Sequence, residues 1–507
     1  MANIERRGEN TFRIRISNGS DNEGNRKTVK RTIDVDPRLT EKQKIKEAER
    51  IAAQLEAEIK RGTFLDAGKI TFAEFVEEWK KKYAVPQLGQ KTLYRYEEML
   101  RTRILPAIGH IRLEKLQPTH LLQFYENLKE KGVRLNAVKY LPKPELTKVF
   151  NERYPETKNL KREIDLHHVT VDNLIAGKPV NSKTAKTVCK FLDMKGSELF
   201  TEDHNNIPLD ARTILHHHRL ISSILTCAVQ WQLLISNPAS RIKPPKVERH
   251  EAEHYDVDQA IRILEYADMQ IIETESADLP EKKKLFEMFR VHKNRAFLYV
   301  VLYGGLREGE LAGLKWDCVN QDVGIIEIKM ARQYIPGKGS FDKSTKNESS
   351  DRLISLPGNV FQVLKEYKAA QNALRLKCGD AWTDSGFVFT QAPEGDPIHP
   401  YWATNWFPRY IKQYNDRIQA DISLSEDQKK DLLLPCLNFH ATRHTNATLL
   451  IANGVNIKTV SNRLGHSVTS TTMNIYSHSL KSAEKEAATR LEDMLSGKAK
   501  NNKIPNV

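Results

Sequence analysis

The sequence predicts a multidomain protein, mainly α-helical with α+β parts, and three observations carry that expectation. A chain of 507 residues, at roughly 100–200 residues per domain, has room for about three or four domains. Helical spacing of apolar residues dominates from about residue 70 onward. Alternating strand patterns are confined to the N-terminus and to residues 324–357.

Composition narrows the function classes. Hydrophobic content of 39% supports packed cores. No stretch approaches the ~20 apolar residues of a bilayer span. The opening MANIERRGENTFRIRIS has charge but no apolar signal-peptide core, so a cytoplasmic protein is expected. Cys189, Cys227, Cys318, Cys378 and Cys436 are odd in number and never in CxxC spacing, which suits free thiols in a reducing cytosol. Lys+Arg 79 against Asp+Glu 65 leaves a net charge of +14 and a pI of about 9.3, the electrostatic footprint of a chain that meets nucleic acid.

Six segments follow in order. Residues 1–65 read as a small β-sheet module with a helix. NTFRIRIS alternates Phe12, Ile14 and Ile16 with Arg13 and Arg15, a half-buried strand with a cationic face. SNGSDNEGN is turn chemistry. RKTVKRTIDV is a second strand, with Val29, Ile33 and Val35 on one face and Arg31 breaking the apolar pattern. A helix follows, with Thr40 as N-cap and Gly62 just past its end. Arg13, Arg15 and Lys30, with Lys27 and Arg31 near the edge, are candidate DNA contacts; a solvated sheet face is the bland reading.

Residues 66–133 read as a small helical domain: Phe72, Phe75, Val76 and Trp79 mark one helix and Leu93, Tyr96 and Leu100 a second. Lys91, Tyr94, Arg95 and Arg101 give that second helix a polar, basic side; the first three are candidate DNA contacts. LPAIGHIRLEKLQP reads as a connector and PTHLLQFYENL as a third helix. A similar helical style returns in residues 208–247, where Ile214, Leu220, Ile224 and Ala228 mark a helix before the Pro-rich linker. His216, His217 and His218 are adjacent rather than at i, i+4 spacing, which reads as helix surface rather than a metal site.

Residues 134–207 differ in character. HHVTVDNLIAGKPVNSKTAKTVCKFLDMKGSELF has short amphipathic pieces punctuated by Gly177-Lys178-Pro179 and Gly196. It resembles the second half of a phage-repressor type helix-turn-helix domain. The resemblance implies a recognition helix near Thr170 to Ile175 able to enter a major groove. A helical insert used for packing or protein contact is the alternative.

Residues 248–495 form the largest region, and 496–507 a flexible tail. VDQAIRILEYA is a helix, NRAFLYVVLYGGLREGELAGLKWDCV two helices broken at Gly304-Gly305, and GIIEIKMARQYI and DRLISLP alternating strands joined by the polar run PGKGSFDKSTKNESS. Five pieces stand out. Arg307 sits at a helix start with Glu310 three residues on; Lys346 lies in a loop entering a strand; His440 and Arg443 share a helical face at i, i+3. His466 follows a Gly in RLGHS, and Tyr476 follows ten residues later in NIYSH. Each alone has a bland reading: a surface charge, a solvated pair, a buried aromatic.

In this order and at these spacings the set resembles the tyrosine recombinase, or phage integrase, family. The resemblance spans most of the chain. It implies an N-terminal arm-binding module, a helical SAM-like core-binding domain split by the insert, and an α+β catalytic domain. Carried over, Arg307 is the first catalytic arginine, His440 and Arg443 form the HxxR box, His466 precedes the nucleophile, and Tyr476 is the nucleophile. Glu310 matches a supporting carboxylate. Lys346 matches the hairpin lysine, with Lys343 as its alternative three residues away.

The residue types suit DNA strand exchange. A covalent phosphotyrosine conserves the bond energy that hydrolysis would lose. The phenol, with a pKa of ~10, needs a base or a field to lose its proton. Two guanidiniums match the charge on the non-bridging oxygens. A lysine can protonate the departing 5′-oxygen. Metal and cofactor are not expected, since the arginines supply the charge and no HExxH or Asp-rich box occurs.

The expected activity is therefore a site-specific recombinase of a mobile element or prophage, acting in the bacterial cytosol. A DNA-binding regulator on the same scaffold and a type IB topoisomerase-like strand transferase are the alternatives. The resemblance implies core- and arm-type attachment sites on double-stranded DNA and a homotetramer on synapsed DNA. It leaves open an excision factor or host DNA-bending protein. The apolar stripe Leu480, Ala483, Ala487, Leu491 and Met494 marks a final helix, which the family docks on a neighbouring protomer.

Overall fold

A computed structural model describes residues 3–20, 26–60, 70–130, 138–166, 168–204, 208–248, 252–344, 352–466, 469, 472–473 and 492. The chain is mainly helical with small sheets, as its patterning predicts, and divides into two units, Met1–Glu248 and Arg249–Val507. Among the described residues no helix is long and apolar enough to cross a membrane.

The first unit opens with an antiparallel sheet of β1 (Asn3–Arg6), β2 (Thr11–Ser20) and β3 (Arg26–Asp34), in that order. β1 was not legible as a strand, being short and largely polar. The register pairs Ile16 with Val29 and Phe12 with Ile33, so the apolar alternation of both strands faces the helix Glu41–Lys60, and Ile14, Ile16, Ala52 and Leu55 are buried together. Thr40 receives the side chain of Gln43 at its backbone N–H, 2.9 Å, and its carbonyl accepts Lys44 N–H at the helix start. Arg31 lies opposite Ile14 but on an edge strand, where its side chain reaches solvent.

A second core joins Phe72, Phe75, Val76 and Trp79 with Leu121, Phe124 and Leu128 from one side of the insert and Ile214, Leu220, Ile221, Ile224 and Ala228 from the other. The connector at 105–116 is not all loop: Leu105–Ile108 stays helical, with Pro106 in the first turn where its missing N–H costs nothing. The histidine run in the helix Ala211–Gln230 corrects the surface reading. His216 is exposed, but His217 and His218 are buried; His217 Nδ1 contacts Thr213 O at 2.8 Å and His218 Nδ1 contacts Tyr125 Oη at 3.0 Å. Burial lowers both pKa values, so these rings pack as neutral groups.

Between the two halves of that core, Leu146, Phe150, Leu160, Val171, Leu174, Val188 and Leu192 form a separate core. The helix His168–Ile175 is followed by Gly177 at φ 69°, and Asn181 caps the helix Ser182–Leu192. Two strands close the segment: β4 (Val138–Pro142) pairs antiparallel with β5 (Phe200–His204), from Val138 opposite His204 to Pro142 opposite Phe200.

The second unit is built on the helix Glu281–Gly304, whose run Ala296–Val301 is buried almost all round, as a central helix must be. Helices Val257–Ser276, Gly358–Cys378 and His440–Ala452 pack against it. Each fully buried Phe297 or Val300 removes enough apolar surface to contribute about 1.5–3 kcal/mol. The strands are β6 (Val319–Asn320), β7 (Ile325–Ile328), β8 (Met330–Ile335), β9 (Gly339–Ser344) and β10 (Arg352–Ser355). They form a sheet in the order β10-β7-β6 and a separate β8-β9 hairpin. The polar run after Ile335 is not all connector: its first part is β9, turned by Gly337 and Gly339 at positive φ.

Candidate active site

The site grows from three helix ends. The Glu281–Gly304 helix stops at Gly305, in the left-handed region at φ 65°; a Cβ there would stand 2.7 Å from Asn446 Oδ1. Arg307 then caps the short helix Glu308–Ala312, and the Glu310 carboxylate accepts its backbone N–H at 2.9 Å and its Nη1 at 2.8 Å. The third end belongs to the helix Ile457–Leu464. Gly465 closes it at φ 63°, with His466 N–H donating to Ser461 O at 3.0 Å.

That last helix end organises three arginines. Arg352 Nε donates to the carbonyl of Arg463 at 2.7 Å, Arg443 Nη2 to that of Leu464 at 2.5 Å, and Arg307 Nη2 to that of Gly465 at 2.8 Å. These are the carbonyls a helix leaves without intrahelical partners, at the negative end of its dipole. Arg443 is 2% exposed and also donates to Gly305 O at 2.5 Å, so the C-terminal ends of two helices share its guanidinium. Arg307, by contrast, keeps its side chain 39% exposed.

Glu310 is 4% exposed and bridges two of these arginines. Arg352 reaches it with Nη2 at 2.7 Å and Nη1 at 3.1 Å. Burial pushes its pKa up, but the hydrogen bond and charge of Arg352, then Arg307, outweigh burial and hold it at about 2. It is therefore a fixed anion that aligns Arg307.

Three imidazoles complete the cluster. His440 begins the helix His440–Ala452, and Arg443 lies one turn on. His440 is exposed at the residue level, yet burial and the charges of Arg443 and Arg307 lower its pKa. His444 stands edge-on against His440, ring centres 4.7 Å apart, its own pKa pushed down to about 4 by burial and by His440 and Arg443. His466 is half-buried and held at about 4 by burial, then Arg443 and Arg307. At neutral pH all three are uncharged bases or donors beside two guanidiniums.

The structure thus brings together Arg307, Glu310, His440, Arg443 and His466. Tyr476 and Lys346 lie outside the described residues, as do the final apolar stripe's residues at 480–491 and 494. Lys343 is described, half-buried on β9 opposite Ala331. In the first unit, Arg13 and Arg15 are half-buried and Lys30 and Arg31 exposed on the sheet, with Arg15 paired to Glu5 at 3.0 Å; the Lys27 side chain is not described. Lys91 and Tyr94 are half-buried and Arg95 exposed on the helix Gln90–Met99. Among the described residues no group of three or more His, Cys, Asp or Glu could hold a metal ion.

Sequence reasoning missed Arg352, His444 and Thr472. Arg352 had a signal: in β10 it shares a face with buried Ile354, so an inward arginine there required a carboxylate.

The second unit is thus a helical domain with a small sheet that closes on a cluster of fixed arginines and neutral histidines. The phage integrase family matches residues 281–483, and its N-terminal SAM-like domain matches residues 71–129. The chain belongs to the phage integrase, or tyrosine recombinase, family. It is 32% identical over 237 residues to a XerC-like tyrosine recombinase of Caldanaerobacter subterraneus, covering 44% of this chain and 55% of the relative. It is 24% identical over 278 residues to the ICEBs1 integrase of Bacillus subtilis, covering 54% and 64%. The matches thus span between half and two thirds of these relatives' length. The fold is also that of the Tn1549 transposon integrase, solved with a circular-intermediate DNA, at a TM-score of 0.50 and 15% identity, covering 82% of this chain and all of that one.

Proposed function

We propose that the chain is a site-specific recombinase of a mobile element, cutting and rejoining DNA through a 3′-phosphotyrosyl intermediate. The observation that carries this is the convergence of His440 and His466 on the Arg443 and Arg307 guanidiniums, with Arg307 held by one anchored anion, Glu310. Two guanidiniums held by backbone carbonyls present fixed positive charge to a phosphate without reorganising, and losing one costs on the order of 10²–10³ in rate. His440, uncharged at neutral pH, can accept the phenol proton or hold the phosphate. Tyr476 attacks phosphorus, the 5′-oxygen leaves with a proton from Lys346, and the reverse attack by a partner 5′-hydroxyl releases the tyrosine.

The reading extends to the rest of the chain. Residues 1–65 contact arm-type DNA through Arg13, Arg15, Lys27, Lys30 and Arg31, and residues 66–133 with 208–247 contact the core site through Lys91, Tyr94 and Arg95. The insert 134–207 is a separate module, residues 248–495 carry out the chemistry, and 496–507 form the tail. The working assembly is a homotetramer on two synapsed duplexes, in the bacterial cytosol.

The test is a nicked suicide duplex carrying the end of the DNA element that encodes the protein. The wild-type chain is expected to trap a covalent 3′-phosphotyrosyl adduct and Tyr476→Phe to trap none. An adduct from the phenylalanine variant, or none from the wild type, would sink the mechanism.

A further inference from the structure

His466 is anchored at its backbone by the helix-terminating turn, but its ring has a separate support. Thr472 Oγ1 lies 2.8 Å from His466 Nδ1, and Thr472 is completely buried. A threonine hydroxyl has one proton to donate and rotates to suit its partner. We infer that Thr472 is a positioning residue for strand cleavage: its hydroxyl donates to Nδ1 of His466 and so fixes the ring with its proton on Nε2, the nitrogen offered to the phosphate. The inference rests on the recombinase reading above.

Phosphate oxygens only accept hydrogen bonds, so the imidazole must present a donor. A protonated imidazole would present one from either nitrogen. His466 is kept uncharged by burial and by Arg443 and Arg307, so it has a single N–H, and its location decides whether it can bind. Which nitrogen carries the proton is set by the hydrogen bond that the other one makes. Thr472 supplies that bond from a site closed to water.

The same bond ties the segment in sequence to the nucleophile. Thr472 is four residues before Tyr476, and four residues span at most roughly 14 Å of extended chain. A phosphate-binding histidine and the start of the nucleophile segment are thereby joined by one side-chain contact.

The experiment compares full-length wild type, Thr472→Val and Thr472→Ser, with the same substitutions in a His466→Gln background, on the nicked suicide duplex. Adduct formation is timed at saturating DNA, and DNA affinity is measured separately. Valine keeps the volume and removes the hydroxyl; serine keeps the hydroxyl and removes the methyl. Thr472→Val is expected to slow adduct formation on the order of 10-fold with unchanged affinity. Thr472→Ser should stay within about 2-fold of wild type, and Thr472→Val should cost nothing further once His466 is Gln.

Three results would overturn the inference: a valine variant as fast as wild type, a serine variant as slow as valine, or an equal valine penalty in both backgrounds. The last two would mean that Thr472 acts through packing. A wild-type chain that forms no adduct removes the recombinase reading itself, which is a distinguishable outcome.

Discussion

Glu310 shows how one buried carboxylate governs two cations. Its folded pKa of about 2 lies below the ordinary 4.5, so its contribution to stability is present above about pH 4.5 and is lost as pH falls toward 2. The shift corresponds to on the order of 3 kcal/mol. Glu310→Gln should lower stability at pH 7 by about that much and flatten the acid limb, read as unfolding midpoints between pH 7 and pH 2.5. Lys293 runs the other way. It is 8% exposed, lies over the rings of Trp402 and Phe289 at 5.0 and 5.3 Å, and burial lowers its pKa from 10.5 to about 8. A depressed lysine destabilises the fold while it is charged, so stability should rise with pH between about 8 and 10.5. Lys293→Met should stabilise the protein at pH 7, with the gain shrinking above pH 8, as followed by thermal unfolding. Arg307, His440, Arg443 and His466 were legible because their spacing repeats a family pattern. Thr472 was not, because a single polar residue becomes part of a site only through tertiary burial.

At the scale of elements, helices were read well and polar strands poorly. The helix Glu281–Gly304 announced itself through its apolar run and the Gly304-Gly305 break. β9 did not, because its Ser340, Asp342 and Ser344 side chains carry no apolar alternation; pairing with β8 makes it a strand, from Met330 opposite Ser344 to Ile335 opposite Gly339. His217 and His218 also differ from their reading: adjacent spacing suggested helix surface, whereas Thr213 and Tyr125 partner their Nδ1 atoms inside the core. The hairpin bears on the proposed chemistry, since Lys343 lies on β9 and Lys346 follows three residues later. Lys346→Ala should slow cleavage on the order of 10²–10⁴-fold. A duplex with sulfur in place of the leaving 5′-oxygen should restore the rate, since a thiolate departs without a proton. If Lys343→Ala shows that loss and rescue while Lys346→Ala does not, the roles are exchanged.

At the scale of the molecule, the insert is the clearest departure from a simple family plan. Its core residues Leu146 to Phe200 are distinct from those of the flanking helical core, and β4 and β5 bring its two ends together. Removing residues 136–205 and closing the gap with a short linker should leave cooperative unfolding of the remainder and tyrosine-adduct formation intact. A footprint that shrinks in the deletion identifies the insert as a DNA-reading module; an unchanged one assigns it to another partner. A drop in adduct yield with the footprint unchanged would mean that the insert acts on assembly. The separate core accompanies a change in sequence character. The closing strands were not legible, because five-residue strands containing Pro142 and Asp203 carry no alternating signal.

The helix end at Arg463–Gly465 has a consequence for the life of the chain before it is complete. Arg307, Arg352 and Arg443 are all synthesised ahead of the three carbonyls that hold them. A ribosome-bound or prematurely terminated chain carries the cations without the bracket that aims them. In an enzyme of the proposed kind, these cations are aimed only once residues 457–465 have been made and folded.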